Sequence, residues 1–184
     1  MNFSKNIGQN SSLFTLIIVA VAIVMGTLSG EAQMLNSRKQ GTVAEQLEQN
    51  SRQREGLVQE ILNYAYKYRG TPYRHGAMSP RAFDCSGFTS YVFKRFGFSL
   101  DRTSRGQIYD GRRVNRDELQ PGDLVFFNGR AVNHRIGHVG IVTEVDKQDG
   151  TFKFIHAART GVQENKSTET YYRRRYMGAC RVVE

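Results

Sequence analysis

The chain has 184 residues, a length that suits one globular domain and leaves little room for a second. Hydrophobic residues make up 39% of it, which is enough for a core. The net charge is +9, and all of the excess lies in residues 51–184, because basic and acidic residues balance in the first 50. Such a basic domain favours a polyanionic surface: nucleic acid, anionic lipid or an acidic wall polymer. The two cysteines exclude a disulfide framework, although they leave one bridge open.

The N-terminus has the layout of an export signal. Residues 13–28 form an uncharged apolar run that follows Lys5 and precedes several small residues. The run is shorter than the roughly 20 residues of a spanning helix. We therefore assign residues 1–30 to a signal peptide or, alternatively, to an N-terminal membrane anchor formed by 13–30. Either assignment predicts an exported protein of the periplasm, the cell envelope or the extracellular space. Residues 31–50, rich in Gln, Asn, Glu and Ser, are assigned to a polar linker or a soft helix.

The folded domain is predicted over residues 51–184. Apolar residues recur at helical spacing over 57–68, with Ser51 as the expected N-cap, and further helices are predicted over 85–96 and 102–111. After residue 121 the segments GDLVFFN, HVGIVTEV, TFKFIHAA and MGACRVVE are short, β-branched and aromatic, and turn residues separate them. Helices followed by strands predict an α+β fold with helices packed on a mostly antiparallel sheet.

Cys85 is the candidate nucleophile. It opens the predicted helix over 85–96, where free backbone N–H groups and the helix dipole favour a thiolate and can hold an oxyanion. Gly87 is expected to let a substrate approach the backbone closely. The alternative is a small buried cysteine without chemistry, but Asp84 and Ser86 flank it, and polar neighbours are unusual for a core position. Cys180 is predicted to be such an inert strand residue.

Two histidines are candidates for the partners of this cysteine. His138 lies at the head of a predicted strand, between glycines that leave room around its ring, and is the expected base. On the strand, His138 shares a face with Val142. His156 lies on the next predicted strand, which should pair with the first through the hairpin turn DKQDG, and it can fix the tautomer of His138.

Two other kinds of site are less well supported. His134 and His138 are four residues apart in a loop and strand, where they span roughly 13 Å and cannot share one zinc ion. We therefore predict no metal, and expect His134 and His75 to be exposed loop residues near the cleft. The segment YYRRRY at 171–176 interleaves aromatic and basic residues, as single-strand binders do, but no recognised nucleic-acid-binding motif accompanies it. An Arg-rich solvated surface is the preferred interpretation.

The ordered motifs GTPYRHG, DCSGF, RTSRGQ, LQPGDLVFF, GHVGIV and FIHAA resemble the NlpC-type (NlpC/p-sixty) cell-wall peptidases over roughly residues 55–184. The resemblance implies a papain-like α+β domain in which N-terminal helices pack on a mostly antiparallel sheet of five to six strands. It implies hydrolysis of an amide in peptidoglycan stem or crosslink peptides through a thioester, without a cofactor. The expected protein is a monomer that binds peptidoglycan and no nucleic acid.

The resemblance also implies a role for each matching position. Cys85 matches the nucleophile, His138 the base and His156 the polar third member, and Tyr73 matches a tyrosine beside the oxyanion pocket. The expected peptide-binding residues are Asp84, Ser86 and Ser104. The chain departs from many members at Gly76-Ala77, where they have two glycines, and in its short linker.

Two alternatives to a wall endopeptidase stay open at this point. One is a non-catalytic protein that binds the wall as a scaffold. The other is an amidase or acyltransferase that uses the same core on a different amide.

Overall fold

The computed structural model describes residues 41–129 and 135–184. The predicted export segment, residues 31–40 of the predicted linker and His134 lie outside these ranges. The chain divides into two compact units, Met1–Ser51 and Arg52–Glu184, and every site residue considered below belongs to the second. Within the described ranges, none of the helices is both long and apolar enough to cross a membrane.

Within the described part of the chain, the first helix, α1, covers residues 41–66 and is longer than predicted. Ser51 lies inside it, so the prediction of an N-cap at Ser51 is wrong. The reason is that residues 44–48, AEQLE, are good helix formers although they are mostly polar. The predicted apolar stripe is buried, and the chain turns away at Gly70, whose φ of +83° favours glycine.

The remaining elements follow in chain order. A short hairpin, β1 (Met78–Ser79) and β2 (Ala82–Phe83), precedes α2 (Cys85–Lys94) and α3 (Ser104–Gln107), which is shorter than the predicted 102–111. A 3₁₀ turn covers Arg116–Glu118, and a four-residue helix, α4 (Thr170–Arg173), lies in the Arg-rich segment before the last strand. The longer strands are β3 (Arg112–Val114), β4 (Leu124–Asn128), β5 (Ile136–Val145), β6 (Phe152–Ala158), β7 (Gly161–Lys166) and β8 (Tyr176–Arg181).

The six longer strands form one antiparallel sheet in the order β3-β8-β4-β5-β6-β7. Helix α2 packs against one face, and the core there includes Phe88, Val139 and Ile141. The other face carries a second apolar core that includes Phe127 and Val142. This alternation along β5 confirms the predicted faces of the strand, and the architecture confirms the predicted α+β fold.

Strands β5 and β6 pair over only part of their length. Their register pairs run from Ile141↔Ile155 to Val145↔Phe152, and among the described residues none is formed by 136–140. The two strands therefore part at the end where His138 and His156 lie. This separation opens the sheet beside the start of α2 and determines the position of the site.

Candidate active site

The start of α2 is held by the side chain that precedes Cys85. Asp84 is the N-cap, and its Oδ1 accepts the backbone N–H of Gly87 at 2.7 Å. Its Oδ2 accepts the N–H of Gly76 at 2.8 Å, and its own N–H donates to the Ala77 carbonyl at 2.9 Å. Asp84 thus joins the loop over 74–83 to the helix start and fixes Cys85 as the first helical residue.

An arginine that sequence reasoning did not single out completes this arrangement. Arg102 donates to both oxygens of Asp84, at 3.0 and 2.8 Å, and to Ser86 Oγ at 3.1 Å. Burial acts to raise the pKa of Asp84, but the hydrogen bonds from Arg102, Gly87 and Gly76 outweigh it and lower the pKa below its ordinary value. The Asp84 carboxylate is therefore charged and internally paired, and its predicted contact with a peptide stays a prediction.

Gly87 serves a different purpose from the one predicted. A side chain there would overlap the carbonyl oxygen of Ala77, which occupies the space that the missing Cβ leaves. The neighbour that approaches the backbone at Gly87 is thus the chain's own loop, so the predicted role in substrate approach is wrong.

The Cys85 sulfur is buried at the opening between β5 and β6. Backbone N–H groups of Ser86 and Val139 donate to it and act to lower its pKa. Burial and, next, the negative charge of Asp84 outweigh them, so the pKa of the thiol is raised. The N–H groups at the helix start thus favour a thiolate, as expected, but burial has the larger effect and the net shift of the pKa is upward. The Val139 contact also brings β5, directly after His138, against the sulfur.

The structure joins the two candidate histidines directly. His138 Nε2 lies 2.6 Å from His156 Nδ1, and the two rings meet edge to face. His156 is fully buried, and its Nε2 lies 2.8 Å from Asn165 Oδ1 and 3.3 Å from the Tyr172 hydroxyl. The contact between His138 Nε2 and His156 leaves Nδ1 as the ring nitrogen of His138 that is available to a thiol.

Burial also governs the charge of both rings. It lowers the pKa of His138 well below its ordinary value, and the neighbouring His156 lowers it further. Burial lowers the pKa of His156 to about 4, although Asn165 and the charge of Glu169 act to raise it. Both imidazoles are therefore neutral near pH 7, the state in which a histidine can accept a proton.

One cavity brings most of the predicted residues together. It has a volume of about 540 Å³, and Tyr73, Cys85, His138 and His156 line it. A second groove, of about 730 Å³, meets it at Cys85 and Tyr73 and includes the other predicted binding residues. Its polar lining consists of His75, Asp84, Ser86, Arg102, Thr103, Ser104 and Arg105. In residues 41–129 and 135–184, no three His, Cys, Asp or Glu side chains are grouped as metal ligands.

Sequence reasoning missed several of the residues that support this site. Arg102 and the fully buried Gln107 lie in the polar segment RTSRGQ, and Gln107 Nε2 donates to the Ser86 carbonyl at 3.0 Å. That segment was the available signal, since a polar motif beside a helix is a candidate for buried hydrogen bonding. Asn165 and Glu169 had no comparable local signal.

Comparison with known proteins gives a consistent family. The NlpC/P60 family profile matches residues 70–181. The murein DD-endopeptidase MepS/murein LD-carboxypeptidase of Escherichia coli is 30% identical over 177 residues, covering 90% of this chain and 89% of that protein. An NlpC/P60 family protein from Bacillus cereus superposes with a TM-score of 0.62 and 30% identity, over 69% of this chain and 40% of the other.

Longer relatives share only this domain. The probable endopeptidase p60 of Listeria grayi is 45% identical over 86 residues, which is 46% of this chain and 17% of that protein. The chain thus spans about a fifth of the length of the curated p60 relatives that it matches. The profile match, the likeness to the Escherichia coli enzyme over 90% of the chain and the shared fold confirm the resemblance, and the chain belongs to the NlpC/P60 family, whose members are cysteine peptidases.

Proposed function

We propose that this protein is an exported cysteine endopeptidase that hydrolyses amide bonds in peptidoglycan stem or crosslink peptides. The observation that carries the proposal is the convergence of Cys85, His138 and His156 in one cavity at the opening of the sheet. The names of the relatives support the substrate class, since they include a murein endopeptidase and probable endopeptidases. The apolar run over 13–28 supports export.

The geometry supports a mechanism in two halves. His138 Nδ1 takes the proton of the Cys85 thiol as the sulfur attacks the amide carbonyl carbon, because the raised pKa of the thiol and the lowered pKa of the ring favour a neutral resting pair. The protonated ring then gives this proton to the leaving amine, and a thioester remains on the sulfur. Water, deprotonated by the same ring, hydrolyses the thioester and restores the thiol.

The surroundings supply the other requirements of acyl transfer. Backbone N–H groups at the helix start and at Val139 surround the sulfur and can stabilise a developing oxyanion, and Tyr73 lines the same cavity. The groove beyond Cys85, lined by Ser86, Ser104 and Arg102, is the proposed seat of the peptide. The excess positive charge of residues 51–184 favours an anionic wall polymer as the partner.

The proposal is tested on isolated peptidoglycan. The purified full-length protein is incubated with it, and the released fragments are identified by mass spectrometry. Wild type should release peptide fragments and Cys85→Ala should release none, whereas Cys180→Ala, which removes the other buried thiol, should behave as wild type.

Other results would point to other functions. Identical fragment profiles from wild type and Cys85→Ala would refute the peptidase. Binding to the wall without cleavage and without alkylation of Cys85 would indicate a scaffold protein. Release of stem peptides from the lactyl group of the sugar would indicate an amidase.

A further inference from the structure

A line of polar side chains continues from His156 to the surface of the domain. Asn165 Oδ1 lies 2.8 Å from His156 Nε2, and Asn165 Nδ2 lies 3.0 and 2.9 Å from the two carboxylate oxygens of Glu169. Glu169 is held in place, since its Oε1 also accepts the backbone N–H of Lys166 at 2.8 Å. The catalytic histidines are thus connected to an exposed carboxylate through one amide.

The order of hydrogen-bond donors and acceptors along this connection is fixed at its Glu169 end. A carboxylate only accepts hydrogen bonds, so the amide nitrogen of Asn165 must face Glu169 and the amide oxygen must face His156. In the same orientation, Gln163 Oε1 accepts from the Thr160 hydroxyl at 2.8 Å and Gln163 Nε2 donates to Asn165 Oδ1 at 2.8 Å. The carboxylate of Glu169 therefore fixes the amide oxygen of Asn165 toward His156. Gln163 follows this orientation, because the Thr160 hydroxyl that it meets can either donate or accept.

The same order of donors and acceptors continues through the rings of His156 and His138. Since Asn165 offers an acceptor, His156 carries its proton on Nε2 and has a lone pair on Nδ1, because a neutral imidazole has one N–H. The His138 Nε2, at 2.6 Å from that lone pair, must then carry the proton of its own ring. Nδ1 of His138 is left without a proton, and this is the nitrogen required to accept the Cys85 thiol proton.

The other groups around His156 do not impose a different order of donors and acceptors. The Tyr172 hydroxyl, 3.3 Å from Nε2, can either donate or accept, and burial raises its pKa to about 12, so it is uncharged near neutral pH. Phe154 contributes only an apolar contact with the His156 ring. The carboxylate of Glu169 is thus the group that sets the order of donors and acceptors along this line of side chains.

We propose that Glu169, acting through Asn165, is a positioning residue that sets the tautomers of His156 and His138. Its carboxylate keeps Nδ1 of His138 unprotonated and ready to act as a base. The effect on catalysis rests on the proposed function, whereas the tautomers are a property of the resting protein and are measured without substrate.

The test replaces the carboxylate by an amide of the same shape. In Glu169→Gln, the amide at 169 can donate to Asn165. The Asn165 amide can then rotate by 180° and donate to His156, which exchanges donor and acceptor in each hydrogen bond of the line. In ¹⁵N-histidine-labelled full-length protein, long-range ¹H–¹⁵N correlations should show both rings protonated on Nε2 in wild type and an Nδ1-protonated form in Glu169→Gln. Glu144→Gln is the matched control, since Glu144 is an exposed carboxylate that pairs with Lys153 at 2.6 Å.

Kinetics and a rescue variant separate positioning from a structural role. On soluble fragments of peptidoglycan, Glu169→Gln should lower kcat about 10-fold, equivalent to ~1.4 kcal/mol, with little change in KM. Adding Asn165→Asp should restore most of kcat and the wild-type tautomers, because a carboxylate at 165 can only accept from His156.

Unchanged tautomers in Glu169→Gln, or a double variant without recovery, would overturn the inference. If wild type does not cleave peptidoglycan, the proposed function fails, and the tautomers of wild type and Glu169→Gln still decide whether Glu169 sets them. A variant that does not fold is identified by its thermal unfolding, and the double variant then provides the comparison.

Discussion

Gly87 is the position in α2 at which we expect a side chain to be most disruptive. It lies in the first helical turn, where a methyl group would overlap the carbonyl oxygen of Ala77 and come within 2.9 Å of Asp84 Oδ1. That carbonyl cannot move freely, because it accepts the N–H of Asp84 at 2.9 Å. Gly87→Ala must therefore displace either the loop or the helix start, and both position residues of the candidate active site.

The cost follows from three contributions. Overpacking of a filled site costs about 1–3 kcal/mol, and losing the hydrogen bond between Ala77 and Asp84 adds about 1 kcal/mol. The higher helix propensity of alanine offsets about 1 kcal/mol. The variant should thus be about 1–3 kcal/mol less stable than wild type, which for a domain of this size lowers Tm by roughly 4–12 °C.

A second glycine provides the matched control. Gly56 lies in α1 with nothing within 4 Å of an added Cβ. Gly56→Ala should therefore gain about 0.5–1 kcal/mol from helix propensity and raise Tm by roughly 2–4 °C. Thermal and urea unfolding of the full-length proteins, followed by circular dichroism, measures both. If Gly87→Ala unfolds at or above the wild-type temperature, the packing argument is wrong.

Three further predictions concern charge and burial. Burial alone would raise the pKa of Asp84, and Arg102 is the main group that lowers it, so Arg102→Met should be less stable than wild type at pH 7. A depressed folded-state pKa contributes stability above the unfolded value of about 4 and loses it as pH falls through the folded value, so the difference should shrink toward pH 3 in urea unfolding; a constant difference would contradict this. Burial raises the pKa of Cys180 to about 12, so iodoacetamide at pH 8 should leave it unmodified in the folded protein, and a label found there by peptide mapping would be inconsistent with that burial. Arg181→Ala leaves the fully buried Asp123 without its 2.8 Å ion-pair partner and should cost about 3–5 kcal/mol in urea unfolding, whereas a loss under 1 kcal/mol would show that the pair is unimportant.

The sequence was sufficient to predict the elements that carry the proposed catalytic side chains, because their signals are local. The apolar spacing over 85–96 predicts the helix that starts at Cys85, and the Asp84 N-cap, which acts within three residues, fixes that start in the structure. The turn DKQDG predicts that the strands of His138 and His156 pair, and they do. The face of His138 followed from strict alternation along β5.

What the sequence could not supply depends on contacts between distant segments. Asn165 reaches His156 because β6 and β7 pair in the register His156↔Gln163, and nothing in the local pattern specifies that register. The internal pairing of Asp84 required Arg102, which lies on a separate loop. The raised pKa of the Cys85 thiol depends on how deeply the helix start is buried, and the position of the residue on the helix indicates only the smaller, opposing contribution of the backbone N–H groups.

The separation of β5 and β6 explains how Cys85 and His138 line one cavity although they lie on opposite sides of a sheet. Cys85 lies in the core on the face that α2 covers, whereas the ring of His138 contacts Phe127 of the other core. A fully paired sheet would keep them apart, because side chains on opposite faces are separated by the backbone. Where the strands part, the N–H of Val139 turns to the sulfur instead of to β6. Gly140 makes the same opening narrow enough for a hydrogen bond between the histidines, since a Cβ there would come within 3.1 Å of the Cβ of His156. The site thus depends on two neighbouring strands that pair over 141–145 and part over 136–140.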